Sequence, residues 1–320
     1  MVAPSSVSDS PRVLDIENLH KTFHIGFFRR RVDAVRGIDF QVHRGESFGF
    51  VGPNGAGKTT TIKMILQLIY PTRGRVALFG APVGDPGVRA RLGYMPESPY
   101  VYTYLRPLEF LDLCGRLVGM DRARRRQRAD LLIERLGLGH AVDRPIGRFS
   151  KGMLQRIGIC QALLHEPEML ILDEPFSGLD PIGRKDIRDI LLEERKRGST
   201  LLFTSHVLSD VELLCDRVAI IHRGKITAAG TMDELLRPDV RRVEIELTQV
   251  NDALRAELAA VAREVHDLHQ RVGVVVEGDA EVPRVLDLAR ARGANVVAIV
   301  PHRETLEDLF MRKAVRETPD

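Results

Sequence analysis

The chain has 320 residues, 47 Lys and Arg against 44 Asp and Glu, a formal net charge of +3, and 44% apolar residues. This length predicts two domains, or one large domain with an appendage. The composition excludes wholesale disorder, a collagen-like fibre and a polytopic membrane protein. Residues 240–320 carry 12 basic and 15 acidic side chains, whereas residues 1–239 carry 35 and 29. Neither part is basic enough to indicate nucleic acid, so no nucleic-acid partner is expected.

The cysteines and the hydropathy of the chain indicate the cellular compartment in which we expect the protein. Cys114, Cys160 and Cys215 are scattered without paired spacing, which argues against a disulfide framework and a zinc site and fits a reducing cytosol. The first residues lack the layout of a signal peptide, and no run reaches the ~18–20 apolar residues needed to span a bilayer. Any membrane role is therefore expected to come through a partner.

The first two thirds of the chain alternate strand and helix patterns. Strands are predicted, in chain order, over 13–16, 38–42, 47–51, 74–79, 169–172, 200–204 and 217–222, with a strand–turn–strand over 24–32. Helical periodicity covers 59–69, where Pro71 ends it, and 182–196, with a mostly helical stretch over 107–165. This order predicts an α/β core with an antiparallel β subdomain and an inserted helical subdomain at about 98–165.

The tail has a different pattern. Strands are predicted over 242–247, 264–268, 272–277 and 296–300, helices over 252–261 and 282–291, and a last amphipathic helix over 304–313. The order β-α-β-β-α-β is typical of a ferredoxin-like α+β domain. We place the boundary near Pro238, giving domains 12–238 and 239–320.

A glycine-rich motif carries the strongest chemical signal. Gly52-Pro53-Asn54-Gly55-Ala56-Gly57-Lys58-Thr59 is a complete GxxxxGK[ST], placed between a short buried strand and a helix. Glycines let consecutive backbone N–H groups converge on phosphate oxygens, and the helix N-terminus adds to the attraction. In such a loop the lysine reaches the β- and γ-phosphates and the Thr59 hydroxyl can bind Mg²⁺.

A carboxylate pair supports the phosphate loop. Asp173 and Glu174 follow the buried strand 169–172. An Asp-Glu pair after apolar residues is by itself more often a polar strand terminus. Beside a phosphate loop, Asp173 can take the Mg²⁺-associated role, and Glu174 can polarise a water for in-line attack on the γ-phosphate.

Three further motifs, in order, narrow the class. Phe149-Ser150-Lys151-Gly152-Met153 opens a helix with Ser150 as a suitable N-cap, Ser177-Gly178-Leu179-Asp180 follows the carboxylate pair, and His206 follows the strand 200–204. Residues 12–230 thereby resemble the nucleotide-binding subunit of an ABC transporter. In this resemblance, residues 52–59 correspond to the Walker A loop and residues 169–174 to Walker B. Residues 149–153 correspond to the family signature, residues 177–180 to the D-loop, and His206 to the switch histidine.

The resemblance implies two copies with two ATP molecules between them, each site using Walker A of one copy and the signature of the other. Only one Walker A motif occurs, so the second ATPase subunit must be another chain. It also implies a catalytic role for Glu174, His206 and Glu97, and Mg²⁺ contact by Thr59, Asp173 and Glu97. The nucleotide-binding residues implied are Phe23 as the adenine-stacking aromatic, Gly52, Pro53, Asn54, Gly55, Ala56, Gly57, Lys58, Thr59, Thr60, Ser150, Lys151, Gly152 and Asp180.

Three positions depart from the family pattern. The signature is FSKGM instead of LSGGQ, but it keeps Ser150 and Gly152, the phosphate-facing pair. Glu97 stands where glutamine is typical; a carboxylate can still ligate Mg²⁺ or position water, but its charge repels phosphate when metal is absent. Phe23 replaces the commoner tyrosine, and stacking needs only a π face.

The resemblance predicts an ATP-hydrolysing subunit on the cytoplasmic face of the membrane that drives a separate permease. The SKGM and GYxPE variants and the ferredoxin-like tail resemble the branch serving type 2 exporters. A non-transport ABC ATPase of translation or DNA maintenance is the alternative. The tail either regulates or contacts the dimer, or it is a stabilising appendage. Solvated surface is the default for the basic runs 29–31 and 122–128, and weak contact with anionic lipid is an alternative.

Overall fold

The computed structural model describes residues 10–26, 30–236, 240–303 and 305–316. It divides the chain into two compact units, Met1–Met232 and Asp233–Asp320. Pro238 lies outside the described residues, and the domain limits 12–238 and 239–320 stay predictions.

A four-stranded antiparallel sheet begins the first unit. It has the order β2-β1-β4-β5, with β1 (Arg12–Ile25), β2 (Arg30–His43), β4 (Arg73–Leu78) and β5 (Ala81–Pro82). Phe40 of β2 stacks on Phe48 and Phe50, with ring centroids 5.3 and 5.1 Å apart. These rings come from the phosphate-loop strand, so the hairpin and that strand share one core.

The chemistry is carried by a six-stranded sheet. It has the order β10-β9-β3-β8-β7-β6, with β3 (Ser47–Val51), β6 (Leu92–Met95), β7 (Met169–Asp173), β8 (Thr200–Ser205), β9 (Arg217–His222) and β10 (Lys225–Thr231). All neighbours are parallel except β10 and β9. Every residue of β3, β7 and β8 is buried, which explains their continuous apolar runs. The carboxyl ends of these three strands meet at one edge, where ligands of such sheets bind.

Seven helices belong to the first unit. They are α1 (Lys58–Ile65), α2 (Pro86–Arg89), α3 (Pro107–Leu117), α4 (Arg122–Arg135), α5 (Lys151–Leu163), α6 (Pro181–Lys196) and α7 (Leu208–Leu214), with short 3-10 turns at Gly139–Ala141 and Ile146–Arg148; the short helix α8 (Met232–Leu235) spans the boundary between the units. The three helices α3, α4 and α5 form the predicted helical insertion. The predicted first helix is too long by four residues, because Gln67 takes a left-handed φ of 57° directly after α1.

The basic run on α4 is only partly solvated. Arg125 and Arg128 are buried, so the surface interpretation is wrong for these two residues. The Arg125 guanidinium lies 2.8 Å from Asp112, and that of Arg128 lies 3.4 Å from Glu166. Carboxylates from neighbouring elements thus hold these arginines inside the helical subdomain. Arg29 of the other basic run lies outside the described residues.

The second unit has the predicted β-α-β-β-α-β order. It contains β11 (Val240–Thr248), α9 (Asp252–Val261), β12 (Glu264–Leu268), β13 (Arg271–Glu277), α10 (Val282–Ala291), β14 (Asn295–Arg303) and α11 (Leu306–Arg316). The strands form an antiparallel sheet of order β12-β13-β11-β14. Its core joins the apolar face of β11 and β13 to α9 and α10 through residues such as Ile245, Leu254 and Val285.

Two sequence expectations concern cysteines and membrane spans. Cys114, Cys160 and Cys215 are all free thiols. Burial raises the pKa of Cys114 to about 11 and also raises the pKa of Cys160. Within the described ranges, no helix combines the length and the apolar character needed to cross a bilayer.

Candidate nucleotide site

The phosphate loop joins β3 to α1 in a conformation that requires glycine. A Cβ added to Gly52 would lie 2.2 Å from the Ile221 carbonyl oxygen. Gly57 has a φ of 113°, and a Cβ there would lie 2.7 Å from the carbonyl oxygen of Ala34. Both contacts are with backbone, which cannot move aside as a flexible side chain can. The glycines therefore let the loop curl against β2 and β9 and turn its backbone toward an open cavity.

This cavity of about 330 Å³ gathers most of the predicted site. Its lining comes from the phosphate loop, α1, β2 and the carboxyl ends of the sheet, namely Ala34, Pro53, Asn54, Gly55, Gly57, Lys58, Thr59, Thr60, Glu97, Glu174 and His206. Segments far apart in the sequence thus converge. Ala34 is the one lining residue that sequence reasoning missed, because a small residue in a strand carries no chemical signal.

Lys58 lies at the floor of the cavity. Its side chain is only 7% exposed, and its ammonium donates to the Gly52 carbonyl oxygen at 2.6 Å. The same ammonium lies 3.3 Å from Oε1 of Glu174, whose side chain is 8% exposed. A buried cation held by a carbonyl and a carboxylate is stable without ligand and remains available to an anion that enters the cavity.

Glu174 is held on several sides. Its backbone N–H donates to the Thr204 hydroxyl at 3.0 Å, and its Oε2 lies 2.7 Å from Nδ1 of His206. Oε1 has the ionic contact with Lys58 but no aligned hydrogen bond. The residue also has a φ of 53°, uncommon for a non-glycine residue. A buried carboxylate oxygen without a hydrogen bond, directed at a cavity, is suited to accept a proton from a ligand or a water.

Thr204 connects the two carboxylates. Its hydroxyl donates to Oδ1 of Asp173 at 2.6 Å while it accepts from the Glu174 amide. Thr204 is fully buried, and Asp173 is 1% exposed. Asp173 itself does not line the cavity. Sequence reasoning missed Thr204, although a hydroxyl at the end of a buried strand, next to two strands with functional ends, was an available signal.

The predicted signature and D-loop residues do not line this cavity. Ser150 caps α5, where its hydroxyl accepts from the Met153 amide at 3.3 Å, and Asp180 caps α6. Lys151 reaches the Ser177 hydroxyl at 3.3 Å, and its aliphatic stem covers Gly178. Within one chain, the two motifs therefore contact each other and present an exposed helix N-terminus.

Gln155 is a third residue that sequence reasoning missed. Its buried amide nitrogen lies 3.2 Å from the carbonyl oxygen of Ser177 and 3.4 Å from those of Glu97 and Glu174. The amide orientation follows from these three acceptors, since its oxygen would repel all of them. Gln155 therefore ties the segment after β6, the carboxylate strand and the D-loop to α5.

The switch histidine has a buried neighbour. Asp210 lies one turn after His206, with its carboxylate 3.7 Å from the Arg184 guanidinium of α6. Burial raises the pKa of Asp210, and the opposing charge of Arg184 only partly offsets it. This contact joins the helix that follows the D-loop to the helix that follows His206.

Phe23 lies on the hairpin. It pairs with Val32 across the two strands, so their side chains share a face, and Ala34, two residues along β2, lines the cavity. The Lys21 ammonium lies 5.1 Å from the ring centroid. Phe23 does not line the cavity, but its ring is directed to the same side of the hairpin.

A glycine loop after a parallel strand, a buried lysine, and a carboxylate pair at a neighbouring strand end define the class. They make this chain a P-loop nucleoside triphosphatase. Comparison with known families matches residues 35–177 to the ABC transporter family. An uncharacterised ABC transporter ATP-binding protein of Nostoc sp. is 43% identical over 234 residues, which are 72% of this chain and 70% of the relative. The chain belongs to the family of ABC transporter ATP-binding proteins.

Other comparisons extend along the chain and to structures. The linearmycin resistance ATP-binding protein LnrL of Bacillus subtilis is 32% identical over 318 residues, covering 96% of this chain and all of the relative. A solved ATP-binding subunit of an ABC transporter is 33% identical, with a TM-score of 0.63 over 70% of this chain and 91% of that chain. The chain is accordingly an ATP-binding and ATP-hydrolysing subunit of the ABC transporter type.

Proposed function

We propose that two copies of this chain bind ATP at shared sites and that hydrolysis drives export through a separate permease. The contact of Glu174 with both Lys58 and His206 is the observation that carries the proposal. It combines three groups that phosphoryl transfer needs: a cation for the phosphates, a base for water and a hydrogen-bonding group for the γ-phosphate.

The ligand-free contacts suggest an order of events. Entering phosphates attract the Lys58 ammonium away from Glu174, and the loop amides and the start of α1 hold the phosphate oxygens. Oε1 of Glu174 is then available for a water, while Oε2 keeps its contact with His206. The water oxygen forms a bond to the γ-phosphorus as the bond to the ADP oxygen breaks, and Glu174 takes the proton of the water. His206 donates to a γ-phosphate oxygen.

The oxygen-only residues around the loop fit Mg²⁺. We assign the Thr59 hydroxyl and the Asp173 carboxylate to it, with Glu97 as a third candidate, since Mg²⁺ prefers oxygen ligands and keeps several waters. Among the described residues, no three His, Cys, Asp or Glu side chains could hold a metal by themselves. When bound, Mg²⁺ neutralises charge on the phosphates, and Glu97 would then no longer repel them.

The second copy completes the site. Ser150, Lys151 and Gly152 lie at the start of α5, and Asp180 lies at the start of α6, where they are available to a partner. A helix N-terminus with a hydroxyl and free amides binds anions, and Lys151 adds a cation. We assign these residues to the ATP held by the phosphate loop of the other copy. Phe23, on the cavity side of the hairpin, is assigned to the adenine.

The relatives support export and membrane association. BcrA of Bacillus licheniformis is a bacitracin transport ATP-binding protein, 36% identical over 285 residues. A Nod factor export ATP-binding protein of Burkholderia lata is 34% identical over 310 residues. These names favour transport over a role in translation or DNA maintenance. We place the chain at the cytoplasmic face of the membrane, held by its permease, with only weak lipid contact by Arg30 and Arg31.

Two experiments test the proposal. Lys58→Ala should weaken ATP binding by ~10- to 100-fold, the loss expected for a hydrogen bond to a charged group. Lys63→Ala, an exposed lysine of the same helix, is the matched control. Tight ATP binding by Lys58→Ala would contradict the phosphate-loop assignment. Purification from membranes should recover an integral membrane protein with the chain, and its absence would contradict the transport role.

A further inference from the structure

The sheet of the second unit has one exposed apolar edge. Among the strands that the structure describes, β14 pairs with β11 alone, so its other side presents backbone N–H and C=O groups without a strand partner. Val296, Val297, Ile299 and Val300 on this strand remain 43%, 43%, 45% and 40% exposed. β14 is nine residues long, and no residue from Asn295 to Pro301 is charged. A long apolar edge of this kind pairs readily with another strand.

The opposite edge of the same sheet is built differently. β12 has five residues, and two of them, Glu264 and Asp267, are acids with side chains 66% exposed. Short length and charge are the usual means by which proteins prevent edge pairing. The sheet therefore has one short, charged edge and one long edge that is uncharged from Asn295 to Pro301, where Pro301 removes a single backbone donor near the end of the strand.

We propose that β14 pairs antiparallel with β14 of a second copy, which joins two four-stranded sheets into one of eight strands. The strand is self-complementary, because an antiparallel partner centred in the uncharged stretch sets apolar residues against apolar residues. Such pairing has the two-fold symmetry that is commonest among homodimers.

A second copy of the chain is the partner that we expect at the β14 edge. The ATP-driven pairing of two copies proposed above brings a second β14 to high local concentration, so this step rests on the proposed function. One strand pair buries less than the ~1,000 Å² expected of a stable interface. The contact therefore adds to ATP-driven pairing instead of replacing it, and it keeps two copies together when the nucleotide has left. It does not depend on the proposed chemistry at Glu174.

Cross-linking of the full chain without nucleotide tests this pairing. Ile299→Cys is treated with a short bismaleimide, with the unsubstituted chain as background for the native cysteines. Asp267→Cys, on the short, charged edge, is the matched control. A third variant combines Ile299→Cys with Val297→Lys, which places two like charges across the interface. Far-UV circular dichroism and thermal unfolding establish that each variant is folded.

Ile299→Cys should form covalent dimers about tenfold faster than Asp267→Cys or the unsubstituted chain, and Val297→Lys should return it to background. Equal rates at the two edges, or a rate unaffected by Val297→Lys, would overturn the proposal. Hydrogen exchange on the unsubstituted, nucleotide-free chain gives a second measure. The β14 amides should exchange more slowly as protein concentration rises, and exchange independent of concentration would also overturn the pairing. ATP turnover in these variants reports separately on the catalytic site.

Discussion

The two units use charge in opposite ways. In the first unit Lys58 and Glu174 are each less than 10% exposed, yet both line one cavity, and the buried Asp173 is linked to Glu174 through the Thr204 hydroxyl. In the second unit Glu244 lies between His266 and His302, at 3.2 Å from each ring, with all three side chains about one-third exposed. Buried charges that face an open cavity cost free energy and are kept for chemistry. Partly exposed side chains that contact one another across a sheet, as Glu244, His266 and His302 do, need no such explanation.

Glycines differ between the units in the same way. Gly57 keeps the phosphate loop close to β2, which leaves its amides free for a ligand. Gly273 of β13 makes room for a side chain instead, because a Cβ there would lie 2.5 Å from Nε2 of His266. The His266 ring thereby crosses the strand and reaches Glu244 on β11. The first glycine serves a binding loop, and the second serves packing.

The largest expected effect separates the two units directly. Glu174→Gln should reduce ATP turnover by ~10²- to 10⁴-fold, because the amide cannot take the proton of water, while ATP binding is kept. Glu244→Gln makes the same chemical change in the second unit and should leave turnover unchanged. Steady-state phosphate release measures both. Wild-type turnover in Glu174→Gln, or a matching loss in Glu244→Gln, would break the comparison.

A smaller effect is expected at the amide of Gln155. Gln155→Leu removes the amide that donates to the carbonyl oxygens of Ser177 and Glu97 and also contacts that of Glu174, which should lower the free energy of unfolding by ~1–3 kcal/mol. Because it also loosens Glu174 and the D-loop, kcat should fall by about tenfold with little change in ATP affinity. Gln161→Leu, on the same helix, is the control. An unchanged kcat in a destabilised Gln155→Leu chain would restrict Gln155 to a structural role.

The adenine assignment predicts a still smaller change. Phe23→Ala removes one stacking face, worth ~1–3 kcal/mol, and should weaken ATP binding by roughly tenfold. Phe23→Tyr keeps the π face and should bind as the unsubstituted chain does. Titration with a fluorescent ATP analogue measures both variants. Equal affinity in Phe23→Ala would remove this residue from the site.

The smallest effect concerns the pH dependence of stability in the first unit. Burial lowers the pKa of His165, whose Nε2–H donates to the Leu92 carbonyl at 2.9 Å. The folded state therefore keeps the ring neutral, while the unfolded state binds a proton as the pH falls through about 6.5, so stability decreases there. The free energy of unfolding, measured in urea at about pH 7.5 and 5.5, should change less between these two pH values for His165→Gln than for the unsubstituted chain. Equal differences would contradict this account.

Sequence patterns predict the strands and the loop chemistry well where local signals are strong. The continuous apolar runs of β3 and β7, each followed by polar motif residues, identify the reactive edge of the sheet. β12 and α10 have the predicted limits, because alternation and helical periodicity both end at Gly or charged residues. Lys58 and Glu174 were predicted separately, but their contact depends on strand order, which no local pattern contains.

Other features depend on tertiary contacts. β10 and α7 were not predicted. β10 consists largely of small residues, and it forms a strand because it pairs with β9. The burial of Arg125 depends on Asp112 from a different helix, so charge alone indicated solvent. Gln155 and Thr204 are functional only because their polar atoms reach backbone or carboxylate groups of distant segments. Sequence could give their residue types but not these partners.

Complementation between two variants tests most directly whether two copies share each site. Lys58→Ala disables the phosphate loop, and Gly152→Asp places a negative charge where the partner's γ-phosphate is expected, while an acid in the first turn still suits α5. Each variant alone should be inactive. An equal mixture should recover roughly a quarter of the wild-type ATP turnover, because random pairing makes half of the dimers mixed and each has one intact site of two. A mixture as inactive as its components would contradict the shared site.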